Sequence, residues 1–82
     1  MMDKKEMIAT INDALAQEFE VEVLDLIPEA NIKVTLHLDS LALVDMVALI
    51  ESIYKVKISG KEINRIKTFG DLYDVIFEQL NN

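Results

Sequence analysis

Apolar residues recur at helical spacing soon after the chain begins. They are Met7, Ile8, Ile11, Leu15 and Phe19. Asp3 and Glu6, three positions apart, form the pattern of a capping box at the start of this run. We therefore predict a first helix over residues 4–19.

The helical pattern stops after Phe19. Pro28 and Asn31 interrupt residues 20–38, where the apolar residues are scattered. Two short alternating runs in this region could be strands, but they would form a poor sheet. We expect a long loop instead, in which four apolar side chains enter the core: Leu26, Ile27, Ile32 and Leu36. A loop of this length in so small a domain is uncommon, and it is usually either functional or a sign that an element has been wrongly assigned.

A second helix follows the loop. Asp39 or Ser40 is placed to cap it, and it runs to about Tyr54. Its residues fall on two apolar faces rather than one. The broad face, which we expect to point to the core, contains Ala42, Leu43, Met46, Leu49, Ile50, Ile53 and Tyr54.

The narrower face of the second helix contains Leu41, Val44 and Ala48, with Asp45, Glu51 and Ser52 beside it. Neighbouring helices or the long loop could bury this face as well. Alternatively it is an exposed contact strip that begins beside Ser40 and has carboxylates on its rim, which suits transient docking of partner proteins.

Two further capping signals mark the remaining helices. Ser59 with Glu62 precedes a short helix near residues 61–66, and Thr68 with Asp71 opens the last one. The last helix directs Phe69, Leu72, Tyr73, Ile76 and Leu80 inward. We predict one all-α domain over residues 1–82, a small four-helix bundle with a long loop between helices 1 and 2 and a short third helix.

Composition narrows the possible functions. The net charge of −7, with only eight lysines and arginines, argues against nucleic-acid binding. There is no cysteine, so disulfides and thiolate metal sites are ruled out. We see neither a secretory signal nor an apolar run long enough to enter a membrane. We expect a cytoplasmic monomer.

Ser40 is the candidate for chemistry. As a catalytic nucleophile it would need a base and a group that orients the base, but the only histidine, His37, precedes the helix. No metal-binding motif or glycine-rich phosphate loop is present. We therefore predict that the chain is not an enzyme. Taken alone, Ser40 would be interpreted as a helix cap.

The surroundings of Ser40 change that interpretation. Asp39-Ser40-Leu41 ends a long loop and opens a helix with a second apolar face, in a small acidic helical domain. Together with the stretch "LDSLALVDMVALIESIYKVKI" and the later "IKTFGDLYDVI", this arrangement resembles the acyl carrier protein family, the phosphopantetheine-bearing carriers of fatty-acid, polyketide and related lipid biosynthesis. The similarity covers nearly the whole chain.

The resemblance implies that Ser40 is modified. A phosphopantetheinyl transferase would move 4′-phosphopantetheine from coenzyme A to its hydroxyl, and the thiol of the arm would carry acyl groups as thioesters. Asp39 and Leu41 would complete the cofactor-binding motif, with Asp39 assisting recognition by the transferase. The resemblance also implies a partner surface for acyl-loading and acyl-processing enzymes, made of Leu41, Val44, Asp45, Ala48 and Glu51.

The chain departs from the family pattern in two ways. His37 stands where the family usually has glycine, so the loop could enter the helix differently. We hypothesise that protonated His37 pairs with the arm's phosphate, but favour the plainer alternative of an exposed loop residue. Residues 39–62 carry four acids and three lysines, whereas residues 1–38 carry eight acids and three lysines. Electrostatic steering of this protein toward a basic patch on an enzyme should therefore be weak, which suggests a specialised carrier.

Two other functions stay open. One is an aminoacyl or peptidyl carrier, including the D-alanyl carriers of cell-wall modification. The other is a helical interaction module without a prosthetic group, whose second apolar face binds a partner helix. Composition does not separate the two kinds of carrier.

Overall fold

Five α-helices form the part of the chain that the computed structural model describes, residues 3–81. They are α1 (Lys4–Phe19), α2 (Ile32–Leu36), α3 (Ser40–Tyr54), α4 (Gly60–Arg65) and α5 (Phe69–Leu80), with a 3₁₀ turn at Val23–Asp25. Within those residues there is no strand. The predicted all-α fold is confirmed, and the structure adds the short helix α2 inside the predicted loop.

Side-chain caps fix where the helices begin. Ser59 and Glu62 form a reciprocal capping box on α4, and Thr68 and Asp71 form another on α5, as predicted. Asp3 also caps α1, but its carboxylate accepts the N–H of Lys5, two residues on, whereas a capping box uses the N–H three residues on. Each of these caps satisfies amide groups that the first turn of a helix leaves without an acceptor.

The Asp71 carboxylate has a second effect on the start of α5. It accepts the backbone N–H groups of Thr68 and Lys67 at 3.1 and 3.0 Å. These hydrogen bonds hold the pKa of Asp71 below its usual value. The cap is therefore charged at neutral pH and lies at the positive end of the helix.

All helices except α4 contribute buried apolar side chains to one core, and the connections between helices add Leu26, Ile58 and Ile66. The helical members are Met7, Ile11, Leu15, Ile32, Leu36, Leu43, Met46, Val47, Ile50, Phe69, Leu72, Tyr73, Val75 and Ile76. Asn12 is buried among them and accepts a hydrogen bond from the hydroxyl of Tyr73. Burial raises the pKa of Tyr73, so this hydroxyl keeps its proton and joins α1 to α5.

The inward set predicted for α3 needs two corrections. Ile53 is 40% exposed, although we expected it in the core. Val47, which we did not assign to that face, is completely buried. Val47 lies at the edge of the predicted face, so the buried side of α3 is turned slightly toward Val47. Ile53 lies in the last turn of α3, which the core does not cover.

The segment between α1 and α3 is folded rather than loose. Leu26, Ile32 and Leu36 are buried as predicted, whereas Ile27 is 49% exposed and that prediction was wrong. The 3₁₀ turn at Val23–Asp25 directs Leu26 inward, so the next side chain faces solvent.

Three backbone hydrogen bonds join this segment to the start of α5. Ile32 N–H donates to the Lys67 carbonyl, Phe69 N–H to Ala30, and Gly70 N–H to Pro28 at 2.9 Å. The first two bonds pair Asn31 with Thr68 in an isolated antiparallel bridge. A Cβ on Gly70 would lie 3.2 Å from the Pro28 carbonyl oxygen, so glycine permits this close approach.

None of the helices within residues 3–81 has the length and apolar character needed to cross a membrane.

Three helices end in a left-handed residue that is not glycine. They are α1 at Glu20, α2 at His37 and α3 at Lys55. His37 has φ 58° and ψ 48°, and its N–H donates to the Lys33 carbonyl. The turn thus keeps the left-handed geometry that glycine would favour, and histidine is among the residues that tolerate it best.

We predict that His37→Gly raises the free energy of unfolding by about 0.5 kcal/mol, because relief of left-handed strain outweighs the larger entropy of an unfolded glycine. Urea denaturation measures the change. Thr35→Gly, inside the right-handed part of α2, is the control and should lower stability by about 0.3–0.5 kcal/mol. Equal losses in both variants would contradict the strain at His37.

Candidate functional site

Ser40 is the first residue of α3, and its side chain is exposed. The cap comes from the residue before it: the Asp39 carboxylate accepts the Ala42 N–H at 2.8 Å. The Asp39 carbonyl also accepts the Leu43 N–H at 3.0 Å. Because Asp39 does the capping, the Ser40 hydroxyl is not used to start the helix.

The Ser40 hydroxyl has one close polar neighbour that the sequence prediction missed. The Nζ of Lys33, on α2, donates a hydrogen bond to the Ser40 Oγ at 3.0 Å. An ammonium that donates to this oxygen does not take its proton, so Lys33 is no general base for Ser40. Ser40 is therefore open to solvent between one ammonium and the capping carboxylate of Asp39, and neither group completes a catalytic triad.

His37 lies in the turn between Lys33 and Ser40 and is exposed. The hydrogen bond to Ser40 comes from Lys33, and the contribution of His37 visible in the structure is its left-handed backbone at the end of α2. Within residues 3–81, no three His, Cys, Asp or Glu side chains cluster so as to hold a metal ion.

The narrow apolar face of α3 is in contact with solvent. Leu41 is 78% exposed and Val44 is 47% exposed. Ala48 and Asp45 are exposed beside them. The alternative that neighbouring helices bury this face is therefore wrong. An apolar strip runs along α3 from the residue next to Ser40.

Glu51 differs from the other residues predicted for the strip. Its side chain is partly buried, and its Oε2 accepts the backbone N–H of Ile58 at 2.6 Å. Ile58 lies in the connection to α4 and is buried. The carboxylate thus fastens that connection to α3. A helical wheel does not show this contact, because it depends on where the chain returns after the helix.

A signal for Lys33 does exist in the sequence. It is the only lysine or arginine between Glu6 and Tyr54, a stretch that contains nine acidic residues. Its distance from Ser40 depends on α2 and the turn at His37, which the predicted loop did not contain. Asn31, with Ile32 and Leu36 four residues apart, would have been the evidence for that short helix.

Comparison with known proteins gives a consistent result. A family model described as "Phosphopantetheine attachment site" matches residues 9–76. The acyl carrier protein of Syntrophobacter fumaroxidans is 32% identical, over 92% of this chain and 93% of its own. The acyl carrier protein of Rubrobacter xylanophilus is 29% identical, over 94% of this chain and 95% of its own.

Solved structures show the same fold. The crystal structure of the acyl carrier protein from Thermotoga maritima superposes with a TM-score of 0.80 at 25% identity, covering 98% of this chain and 93% of that one. The acyl carrier protein from Enterococcus faecalis gives a TM-score of 0.78 at 24% identity, covering 95% of this chain and 99% of that one.

We predict that Glu51→Ala lowers the free energy of unfolding by about 1–2 kcal/mol, near the low end for hydrogen bonds to charged groups because Glu51 is only partly buried. Glu51→Gln keeps an oxygen that can accept the Ile58 N–H and should lose less. Denaturation of the isolated protein is the measurement. An unchanged stability of Glu51→Ala would show that the contact with Ile58 is not stabilising.

Proposed function

Because the chain belongs to the acyl carrier protein family, whose members bear phosphopantetheine, we propose that Ser40 is the residue to which the arm is attached. The observation that carries this proposal is the exposed Ser40 hydroxyl at the start of α3. This hydroxyl does not cap the helix, because Asp39 supplies the cap. An oxygen in this position can be reached by another enzyme.

The groups around Ser40 fit a phosphodiester. The amide N–H groups of Ser40 and Leu41 lie in the first turn of α3, where no intrahelical acceptor exists. The helix N-terminus favours negative charge. The Lys33 ammonium adds a full positive charge 3.0 Å from the Oγ.

The modification is a phosphoryl transfer. The Ser40 Oγ forms a bond to the phosphorus that bears pantetheine, and the bond from that phosphorus to the adenosine 3′,5′-diphosphate part of coenzyme A breaks. The Oγ–H proton leaves to a base, which must belong to the transferase because the chain places none beside Ser40. The chain contributes an accessible hydroxyl in a fixed position.

Once attached, the arm supplies a thiol that holds an acyl group as a thioester. The protein supplies no cysteine that could capture the cargo. It acts as a carrier and not as an enzyme: it presents the thioester to enzymes of fatty-acid, polyketide or related lipid biosynthesis. We place this activity in the cytoplasm.

We propose that partner enzymes dock on the exposed strip of α3. Leu41 and Val44 give it apolar area next to the arm, Ala48 extends it along the helix, and Asp45 provides a charge at the edge. Apolar contact surrounded by polar groups is typical of transient interfaces. Glu51 is the least exposed member of the proposed surface, since its carboxylate is bonded to Ile58.

The charge of residues 39–62 supports a dedicated set of partners. These residues hold four acids and three lysines, a net charge of −1, and the three lysines all follow α3. Rim charges mainly set the rate of association and the choice of partner. An enzyme with a strongly basic docking patch would gain little from this surface, which favours a specialised pathway over general fatty-acid synthesis.

The alternative cargo is an aminoacyl or peptidyl group, including D-alanine. It would use the same serine and the same arm. Loading assays with acyl-acid and amino-acid activating enzymes, performed on the modified protein, separate the two by the mass of the group acquired.

Incubation with coenzyme A and a broad-specificity phosphopantetheinyl transferase should raise the intact mass by one phosphopantetheine. Ser40→Ala should gain nothing while remaining folded, because alanine is favourable in a helix. Ser52→Ala is the matched control, being an exposed serine of the same helix, and should be modified like the wild type. A folded wild type that gains no mass would favour an interaction module without a prosthetic group.

Two substitutions of Asp39 separate its roles. Asp39→Asn keeps a side-chain oxygen for the cap, so stability should be nearly unchanged, while transferase kcat/KM falls because the charge is gone. Asp39→Ala should lose about 1 kcal/mol of stability as well as kcat/KM. Denaturation and the rate of mass gain measure the two effects. Full modification rates in Asp39→Asn would mean that the transferase does not recognise the carboxylate.

A further inference from the structure

The contact between Lys33 and Ser40 joins two helices that the sequence separates by a tight turn. The Lys33 Nζ lies 3.0 Å from the Ser40 Oγ. Lys33 is the second residue of α2, and Ser40 is the first residue of α3. The contact therefore depends on how firmly α2 is held.

The short helix α2 is fixed on several sides. Asn31 caps it by accepting the Val34 N–H at 3.0 Å. Ile32 is completely buried, and its N–H donates to the Lys67 carbonyl. At the other end, the Leu38 N–H donates to the Lys33 carbonyl at 2.9 Å. The backbone of Lys33 is thus anchored to the core, although its side chain reaches the surface.

The ammonium of Lys33 is available for a new partner. The ion pair found among residues 3–81 is between Lys4 and Asp74, at the start of α1 and on α5. Asp39, the nearest acid along the chain from Ser40, caps α3 through the Ala42 N–H and forms no ion pair with Lys33. Lys33 donates to a neutral hydroxyl, which is a weaker acceptor than an anion.

We propose that Lys33 is a positioning residue for the arm, whose ammonium holds the phosphodiester once Ser40 is modified. This inference rests on the proposed attachment at Ser40. The Oγ becomes an ester oxygen, and the anionic oxygens lie on the phosphorus bonded to it. The ammonium then exchanges a neutral acceptor for a charged one at nearly the same place, and charge-assisted hydrogen bonds are about twice as strong as neutral ones.

The consequence is an arm restrained at its attached end. A phosphate held between Lys33 and the first turn of α3 leaves the base of the arm close to Leu41 and the exposed strip. The far end, which bears the cargo, stays free. The hypothesis that His37 binds the phosphate is thereby replaced by one in which Lys33 does so, and the experiment below compares the two.

A comparison of melting temperatures (Tm) tests the inference and needs no assay of cargo transfer. Tm is measured for the unmodified and the modified form of each variant at low ionic strength. We expect the gain in Tm on modification to be about 2–4 °C larger in the wild type than in Lys33→Met, the effect of one surface ion pair in a domain of this size. Lys33→Arg should keep the gain. In 1 M NaCl, where the Debye length is about 3 Å, the difference should disappear.

Lys5→Met is the matched control. Tyr54, at the end of α3, donates to the Met7 carbonyl, so the start of α1 lies by the end of α3 that is remote from Ser40. The length of α3 puts Lys5 about 20 Å from the arm, at a rise of about 1.5 Å per residue. Lys5→Met and His37→Gly should both keep the wild-type gain, and the ³¹P resonance of the arm should shift only in Lys33→Met.

The outcomes separate the two proposals. If the wild type is folded and acquires no phosphopantetheine, the proposed attachment at Ser40 is overturned, and the role of Lys33 that rests on it falls as well. If the wild type is modified but Lys33→Met shows the same gain in Tm and the same ³¹P shift, the role of Lys33 alone is overturned. Loss of the gain in His37→Gly with retention in Lys33→Met would overturn it in favour of His37.

Discussion

The hydrogen bond from the Ala42 N–H to the Asp39 carboxylate determines what Ser40 can do. It is 2.8 Å long and begins α3 at Ser40. If serine itself were the cap, its oxygen would be occupied by a backbone amide and turned toward the helix axis. With aspartate as the cap, serine becomes the first helical residue and its hydroxyl faces solvent. The proposed attachment, the docking strip beside it and the role of Lys33 all depend on this arrangement.

The segment between α1 and α3 is itself held in place, and it positions the residues next to the start of α3. Backbone contacts join residues 28–32 to the start of α5, with Gly70 allowing the close approach of Pro28. The same segment buries Leu26, Ile32 and Leu36, so it is held by the core as well. Its final turn at His37 is left-handed, and Lys33 of α2 contacts Ser40 in the first turn of α3. A long connection thus acts as a rigid support for one exposed oxygen.

Much of the fold follows from local signals. The bounds of α1 and the capping boxes of α4 and α5 were predictable because caps and apolar spacing act within a few residues. The exposed strip beginning at Leu41 was predictable for the same reason. The helix α2 was not, since five residues are too few for a stable isolated helix and Ile32 and Leu36 hold it only through the core.

The parts of the site that escaped prediction are contacts between elements. Lys33 reaches Ser40 because α2 and the turn at His37 have a particular geometry, and no spacing rule contains it. Glu51 was assigned to the docking rim from its place on the wheel, yet the returning chain brings Ile58 N–H to its carboxylate. The sequence marks Lys33 itself by its charge, as a lone lysine in an acidic stretch.

The most direct test of the central claim is peptide fragmentation of the protein after phosphopantetheine transfer, read by tandem mass spectrometry. The chain offers three serines as acceptors, Ser40, Ser52 and Ser59. We predict that every fragment bearing the added group contains Ser40 and that fragments ending before it do not. Finding the group on Ser52 or Ser59 would contradict the claim that α3 begins so as to present the hydroxyl of Ser40.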